Sequence, residues 1–323
     1  MTRTEAIDKA RDVMRRQHKA ISTEEIYLHW LRRYMAAIGQ MPNELASEKK
    51  LERFLTELAR THDVSASTQN QAFNAILFFY KDVLGLPLKN VDALRASRPE
   101  HLRHAPTPAE TRQLLAAVRD VAGYPTNLIT RLLYGCGLRV TEPLNLRIKD
   151  VQVRETKLFI RGAKGRKDRV VALPCSLAEE IRAQIAFART VWQRDAQAKM
   201  PLELPHQLAA KYPEYRFAWP WAWVFPSRWP CKHPRTGQLV RYRMHEVNVQ
   251  RAVKEARRRI GIMVLPHELR HAYATHTLDR GVNVKALQAA MGHVDVNTTM
   301  GYCHAEACSV PSPLDSTSGS RAG

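Results

Sequence analysis

About a third of the way along the chain the hydrophobic pattern stops. Residues 95–106 read Arg-Ala-Ser-Arg-Pro-Glu-His-Leu-Arg-His-Ala-Pro, a basic stretch with two prolines and no apolar period. Such a stretch continues neither helix nor strand and reads as an exposed connector. It divides the 323 residues into a first unit over 1–95, a linker over 96–106 and a second unit over 107–308, followed by a polar tail over 309–323. Each unit is long enough to bury its own core.

The two parts differ in charge. Residues 1–100 carry 16 basic and 13 acidic side chains, whereas 101–323 carry 34 and 18, and these make up most of the +19 total. A field of that sign attracts polyanions, with nucleic acid first among them. No apolar run approaches the roughly 18 residues that a membrane span needs, and the charged start of the chain lacks the apolar stretch of a signal peptide. The five cysteines are scattered, odd in number and without a Cys-x-x-Cys pair. A disulfide framework is therefore not expected, and a reducing cytoplasm fits.

The first unit reads as a bundle of about four helices. Ser22-Thr-Glu-Glu25 has capping-box spacing, after which Tyr27, Leu31, Tyr34, Met35 and Ile38 recur at helical intervals. A second helix starts near Ser47 and carries Leu51, Phe54, Leu55 and Leu58. A third aligns Phe73, Ile76, Leu77, Tyr80 and Leu84 before Gly85. The second unit opens on Thr107-Pro-Ala-Glu110, a cap with proline at the first helical position. Helices are expected near 126–135 and 141–147. Short β-type runs then follow at Val151 to Val153, Leu158 to Ile160 and Val170 to Leu173, a small antiparallel sheet around a basic turn. Ser176-Leu-Ala-Glu179 has the spacing to cap a long helix reaching about Ala198. Residues 200–243 are rich in proline and tryptophan without any single period, an irregular insertion. Helices resume near 246–260, 267–280, 284–291 and 296–303. The fold class is mainly α with a small antiparallel sheet.

His267-Glu268-Leu-Arg-His271 matches the H-E-x-x-H pattern of zinc hydrolases. That reading is weak because Pro266 puts His267 in the first turn of its helix and Arg270 sets a cation beside the metal position. A longer string reads differently. His267-Glu-Leu-Arg270-His271, Met291-Gly-His293 and Thr298-Thr-Met-Gly-Tyr302 follow one another. Upstream stand Gly137-Leu-Arg139-Val-Thr-Glu142-Pro-Leu and Gly162-Ala-Lys164-Gly-Arg166-Lys167-Asp-Arg169. In this order the boxes resemble those of the tyrosine site-specific recombinases of the phage-integrase type, over nearly the whole chain. Leu204-Pro205, Lys211-Tyr-Pro213 and Trp219-Pro-Trp221-Ala-Trp-Val-Phe225 are similar to the insertion of the integron integrases within that family.

A phosphodiester repels nucleophiles, and its transition state gathers charge on nonbridging oxygens. Two guanidinium forks that stay charged at working pH answer both problems, and Arg139 and Arg270 are assigned to them. Tyr302 is the candidate nucleophile, a phenol of ordinary pKa about 10 that needs a cationic site. The resemblance implies that His267 gives acid–base help, that His293 hydrogen-bonds a nonbridging oxygen, and that Lys164 protonates the departing 5′ oxygen. Glu142, one turn after Arg139, orients an arginine or serves as a simple intrahelical partner. The implied product is a 3′-phosphotyrosyl enzyme, formed without metal or other cofactor and resolved by strand exchange in a tetramer on DNA.

The resemblance also implies that both units clamp duplex DNA, and that the tail docks on a neighbour. Arg161, Arg166, Lys167 and Arg169 on the basic turn are candidate phosphate contacts, as are Lys254, Arg257, Arg258 and Arg259 on one helix. Integron integrases recombine gene cassettes at folded single-stranded sites through bases projecting from a stem. Trp219 and Trp221 are candidates to stack on such a base, helped by Tyr242 and Arg243, which replace two histidines of the family pattern. Gly301 and Cys303 replace β-branched residues beside Tyr302, and glycine there loosens a helix. The alternative is thus a DNA-binding relative with weak or no strand exchange.

Overall fold

The computed structural model describes residues 2–61, 64–89, 91, 105–162 and 168–292. The chain divides into two compact units, Met1–Leu102 and Arg103–Gly323. The linker beyond 105–106, the expected helix at 296–303 and the tail lie outside the described residues, as do Lys164, Arg166, Lys167, His293, Gly301, Tyr302 and Cys303.

The first unit packs α1 (Arg3–Arg16), α2 (Ile21–Ile38), α3 (Ser47–Arg60) and α4 (Ala66–Phe78), the last extended by a wider π-helical turn over Phe79–Leu84 that stops at Gly85. The sequence pattern gives little sign of α1. Its buried stripe is only Ala6, Ile7, Ala10, Val13 and Met14, set among charged residues, and a Thr2–Glu5 capping box starts it. Ser22 and Glu25 do not form the expected cap, because α2 begins at Ile21 and both lie within its first turns. The core centres on Tyr34, whose hydroxyl meets that of Tyr80 at 3.0 Å and whose ring is edge-on to Phe54. Burial, with the Tyr80 hydrogen bond, pushes the Tyr34 phenol far above its ordinary pKa, so the Tyr34 hydroxyl stays neutral.

In the second unit the Thr107–Glu110 box forms as expected. The Thr107 hydroxyl accepts from the Glu110 N–H, and the Glu110 carboxylate accepts from the Thr107 N–H at 2.8 Å, opening α5 (Pro108–Ala117). Next come α6 (Thr126–Gly135) and a single turn, α7 (Thr141–Leu144), shorter than the expected 141–147. The sheet is an antiparallel meander of β1 (Val151–Gln152), β2 (Lys157–Ile160) and β3 (Arg169–Ala172), in register Lys157↔Ala172 through Ile160↔Arg169. Leu158, Ile160 and Val171 point into a core shared with α6 and with α10 (Val247–Ile260). Helix α8 (Ala178–Gln197) starts without a side-chain cap, since Cys175–Leu177 form a 3-10 turn instead. Helices α11 (Pro266–Leu278) and α12 (Val284–Met291) follow α10. Among the described residues no helix is long and apolar enough to cross a membrane.

The insertion is ordered by local pieces: α9 (His206–Lys211), two 3-10 turns, and a ribbon of β4 (Cys231–Lys232) with β5 (Leu239–Val240). It is stitched to the core through its backbone. The Val224 N–H donates to the Leu146 carbonyl at 3.0 Å, the Ile148 N–H donates to that of Ala222 at 3.0 Å, and Val224 and Phe225 are buried. A bidentate ion pair fastens the other end, where Arg241 donates to both Asp195 oxygens on α8 at 2.6 Å. Both side chains are almost wholly buried. Asp195→Ala leaves that guanidinium without its counter-charge and should cost about 3–5 kcal/mol. Denaturant unfolding followed by tryptophan fluorescence reports it, because five of the six tryptophans lie in this unit. A loss below about 1 kcal/mol, the value of a surface pair, would show that the insertion is not anchored there.

Candidate active site and adjoining cavity

The α6–α7 turn brings the first arginine into place. Gly137 follows α6 with φ +61°, and a Cβ there would run into the Tyr273 ring of α11, so only glycine allows this approach. The chain then turns so that the Glu142 N–H donates to the Arg139 carbonyl at 2.9 Å. The Glu142 carboxylate reaches back, accepting from the Arg139 N–H and from Arg139 Nη1, each at 2.8 Å.

Glu142 is more than an intrahelical partner. Arg169 of β3 donates to Oε1 at 3.0 Å and to Oε2 at 2.6 Å, and Arg270 Nη1 of α11 lies 3.8 Å from Oε2. Arg270 is 1% exposed, and it also donates to the carbonyls of Gly137 and Met291 at 2.5 Å. Burial pushes the Glu142 carboxyl up, but the hydrogen bonds and charge of Arg169, with the backbone and side-chain hydrogen bonds of Arg139, hold it below its ordinary value. Three arginines from separate parts of the chain thus surround one buried, ionised carboxylate. Arg139 leaves about a quarter of its side chain, 26%, open to solvent. Arg139 is the member of the cluster that presents its guanidinium to solvent, with Arg169 and Arg270 buried behind it.

Arg169, expected among the phosphate contacts of the basic turn, is instead 6% exposed and turned inward. Arg161 remains half-exposed, with Nε on Asp150 at 2.5 Å and Nη1 toward Asp168 at 3.4 Å. His267 is exposed in the first turn of α11, its ring 4.5 Å from that of the buried His271. Glu268 caps that same helix, accepting from the Leu265 N–H at 2.6 Å. Among the described residues no three His, Cys, Asp or Glu side chains are grouped to hold a metal.

Beside the hairpin the insertion walls a cavity of about 860 Å³, lined by Lys149, Arg161, Lys211, Trp221, Tyr242 and Arg243 among others. Tyr212, Tyr215 and Trp221 form a stacked column with centroids 4.9 and 5.5 Å apart, and the Lys149 ammonium sits 2.9 Å from the Trp221 centroid. Arg147 lies over the Trp223 ring at 3.1 Å and donates to the Trp221 and Glu203 carbonyls. Burial lowers its pKa to about 10, opposed by Glu203 and Asp150, which leaves it charged near neutrality. Tyr242 lines the cavity 6.1 Å from Trp223, and Arg243 is held by Glu246 and the Met244 carbonyl. Trp219 does not take part. It packs on Trp192 of α8, with Arg189 over its ring.

The sequence profile of the Phage integrase family matches residues 106–308, and that of the Phage integrase, N-terminal SAM-like domain matches residues 7–90. An Integrase/recombinase of Escherichia coli is 37% identical over 318 residues, 96% of this chain and 93% of that protein. The chain belongs to the phage integrase family. It is a tyrosine recombinase, an enzyme that breaks and rejoins DNA strands. Tyrosine recombinase XerA of Thermococcus onnurineus is 30% identical over 299 residues, covering 92% of this chain and 90% of its own. Among solved structures, XerH bound to palindromic difH in a post-cleavage complex has the same fold, with TM-score 0.59 at 18% identity over 89% of this chain and 78% of that one. A lambda integrase tetramer bound to a Holliday junction gives TM-score 0.59 at 14% identity, covering 94% and 77%.

In this recombinase His276 has a structural role that no local sequence signal marks. Its Nε2 donates to the Pro106 carbonyl at 3.0 Å, which fixes Nδ1 as acceptor for the Tyr134 hydroxyl at 3.0 Å. The ring thereby joins α6, α11 and the start of the unit. Burial lowers its pKa, with the Pro106 hydrogen bond working against that. A depressed histidine pKa means that the unfolded chain binds the extra proton. The stabilisation is therefore complete above the unfolded value near 6.5 and is lost as pH falls through the folded one. The thermal midpoint should fall between pH 8 and pH 5 by less in His276→Gln than in wild type. Parallel pH curves for the two proteins would remove His276 from the account.

Proposed function

We propose that the chain is an integron-type integrase that captures and excises gene cassettes, cutting DNA through Tyr302 and using folded single-stranded sites. For the chemistry, the supporting observation is the convergence of Arg139 and Arg270 on Glu142. In this reading the two guanidiniums bind the nonbridging oxygens of the scissile phosphate and Tyr302 attacks phosphorus. Lys164 donates a proton to the departing 5′ oxygen, His267 gives acid–base help, and His293 hydrogen-bonds a nonbridging oxygen. The P–O5′ bond breaks as the tyrosyl ester forms, and a second strand's 5′-hydroxyl reverses the step. The relatives solved on DNA, one of them as a tetramer on a Holliday junction, favour strand exchange in a tetramer, with both units on DNA.

For the substrate, the single carrying observation is the aromatic, cationic cavity in the insertion. A base projecting from a folded stem can enter it and stack on Trp221. Doing so displaces Lys149, whose ammonium then meets the adjoining phosphate. Tyr242 offers a second ring, and Arg161 and Arg243 add donors. Trp219 is left with packing against Trp192 of α8.

Two experiments test these statements. On a suicide substrate nicked near the cleavage point, wild type should accumulate a covalent protein–DNA adduct that chelator does not suppress. Tyr302→Phe should form none, and Arg139→Ala should form it about 100- to 1,000-fold more slowly, the loss typical for a transition-state charge donor. An adduct persisting in Tyr302→Phe sinks the nucleophile assignment. Trp221→Ala should weaken binding to a folded site with projecting bases by about 5- to 150-fold, corresponding to roughly 1–3 kcal/mol of stacking. Affinity for the same stem without them should not change. Equal losses on both stems would count against the integron reading.

A further inference from the structure

We propose that Arg169 is a positioning residue for strand cleavage, holding Glu142 and through it Arg139 in place, and that it does not itself meet DNA. Every nitrogen of its guanidinium already donates within the protein: Nη1 and Nη2 to the two oxygens of Glu142, and Nε to the Ala290 carbonyl at 2.8 Å. The two-plus-one pattern also demands arginine. A planar fork can grip both carboxylate oxygens while its inner nitrogen turns to a third acceptor, and an ammonium cannot.

The third acceptor makes Arg169 more than a counter-ion. The Ala290 carbonyl belongs to the last turn of α12, where helix carbonyls lack internal partners and the dipole favours a cation. The chain then leaves the helix over the Arg169 side chain. Gly292 takes φ +64°, and a Cβ there would lie 3.0 Å from Arg169 Cδ. At its other end Arg169 is the residue of β3 paired with Ile160, the point where the basic hairpin rejoins the sheet. One side chain therefore ties together the hairpin, the carboxylate that orients Arg139, and the end of α12.

The test compares Arg169→Lys with wild type in three measurements. DNA affinity and its salt slope should stay within about twofold, because no phosphate contact is lost. Single-turnover adduct formation should fall about 100-fold, the scale of a misplacement near 1 Å, with half-saturating DNA unchanged. The rate should also acquire an acidic limb, falling with pH where wild type is flat, since Glu142 without its strongest partner takes up a proton more readily; a purely structural role leaves that profile alone. Glu142→Gln is the second variant. It should slow cleavage similarly and show no such limb, and adding Arg169→Lys to it should cost little more. Cleavage by Arg169→Lys within about threefold of wild type, or a salt slope reduced by about one contact, would overturn the proposal, as would losses that multiply in the double variant. Because the inference rests on Arg139 and Arg270 as phosphate ligands, Arg139→Ala is measured alongside. Normal cleavage by Arg139→Ala overturns that assignment. Normal cleavage by Arg169→Lys beside a disabled Arg139→Ala overturns the positioning role alone.

Discussion

The second unit depends on one buried carboxylate. Three guanidiniums within a few ångströms of one another repel strongly in a medium of low polarisability, and each resists leaving water. Glu142 removes both difficulties by accepting from Arg139 and Arg169 and lying within 4 Å of Arg270. One negative charge among three positive ones leaves the cluster cationic overall. An incoming anion meets first the partly exposed Arg139, whose guanidinium Glu142 already orients. The backbone cooperates, because the Gly137 and Met291 carbonyls grip Arg270 from two sides.

The insertion follows the same economy of charge. Arg147 and Arg241 are both buried, and each is satisfied by carbonyls together with one carboxylate, Glu203 or Asp195. Exposed ion pairs of this kind contribute little, but buried ones punish the loss of either partner. Their effect is to fix the insertion on the core in one arrangement, so that its aromatic side chains form a walled cavity and not a loose loop.

Local signals made much of this legible. Thr107, Pro108 and Glu110 announced α5 because capping is a matter of residues three apart. Alternation at 158–160 and 170–173 announced the meander, and the motif boxes brought Arg139 and Arg270 to notice. What stayed hidden was either faint or long-range. Helix α1 buries mostly small side chains among charges, which gives a shallow stripe. Ser22–Glu25 had the right spacing, yet the helix starts at Ile21 with Ala20 as its N-cap and no side-chain cap. Arg169 reads as one more cation in a basic run, and only the fold, which brings residue 142 beside residue 169, turns it inward. Trp219 and Trp221 are two residues apart in a segment without a period, so nothing local could say which would face the cavity and which would face α8.

The hairpin between β2 and β3 connects the two sites. At one end Arg161 is held by Asp150, whose other oxygen accepts from the Arg147 N–H beside the cavity. At the other end Arg169 is held by Glu142 in the arginine cluster. Both carboxylates are buried, and only seven residues lie between them along the chain. The two sites are thus built on one pattern, a buried carboxylate that accepts from a backbone N–H at the start of its own turn and from an arginine beside the β2–β3 sheet.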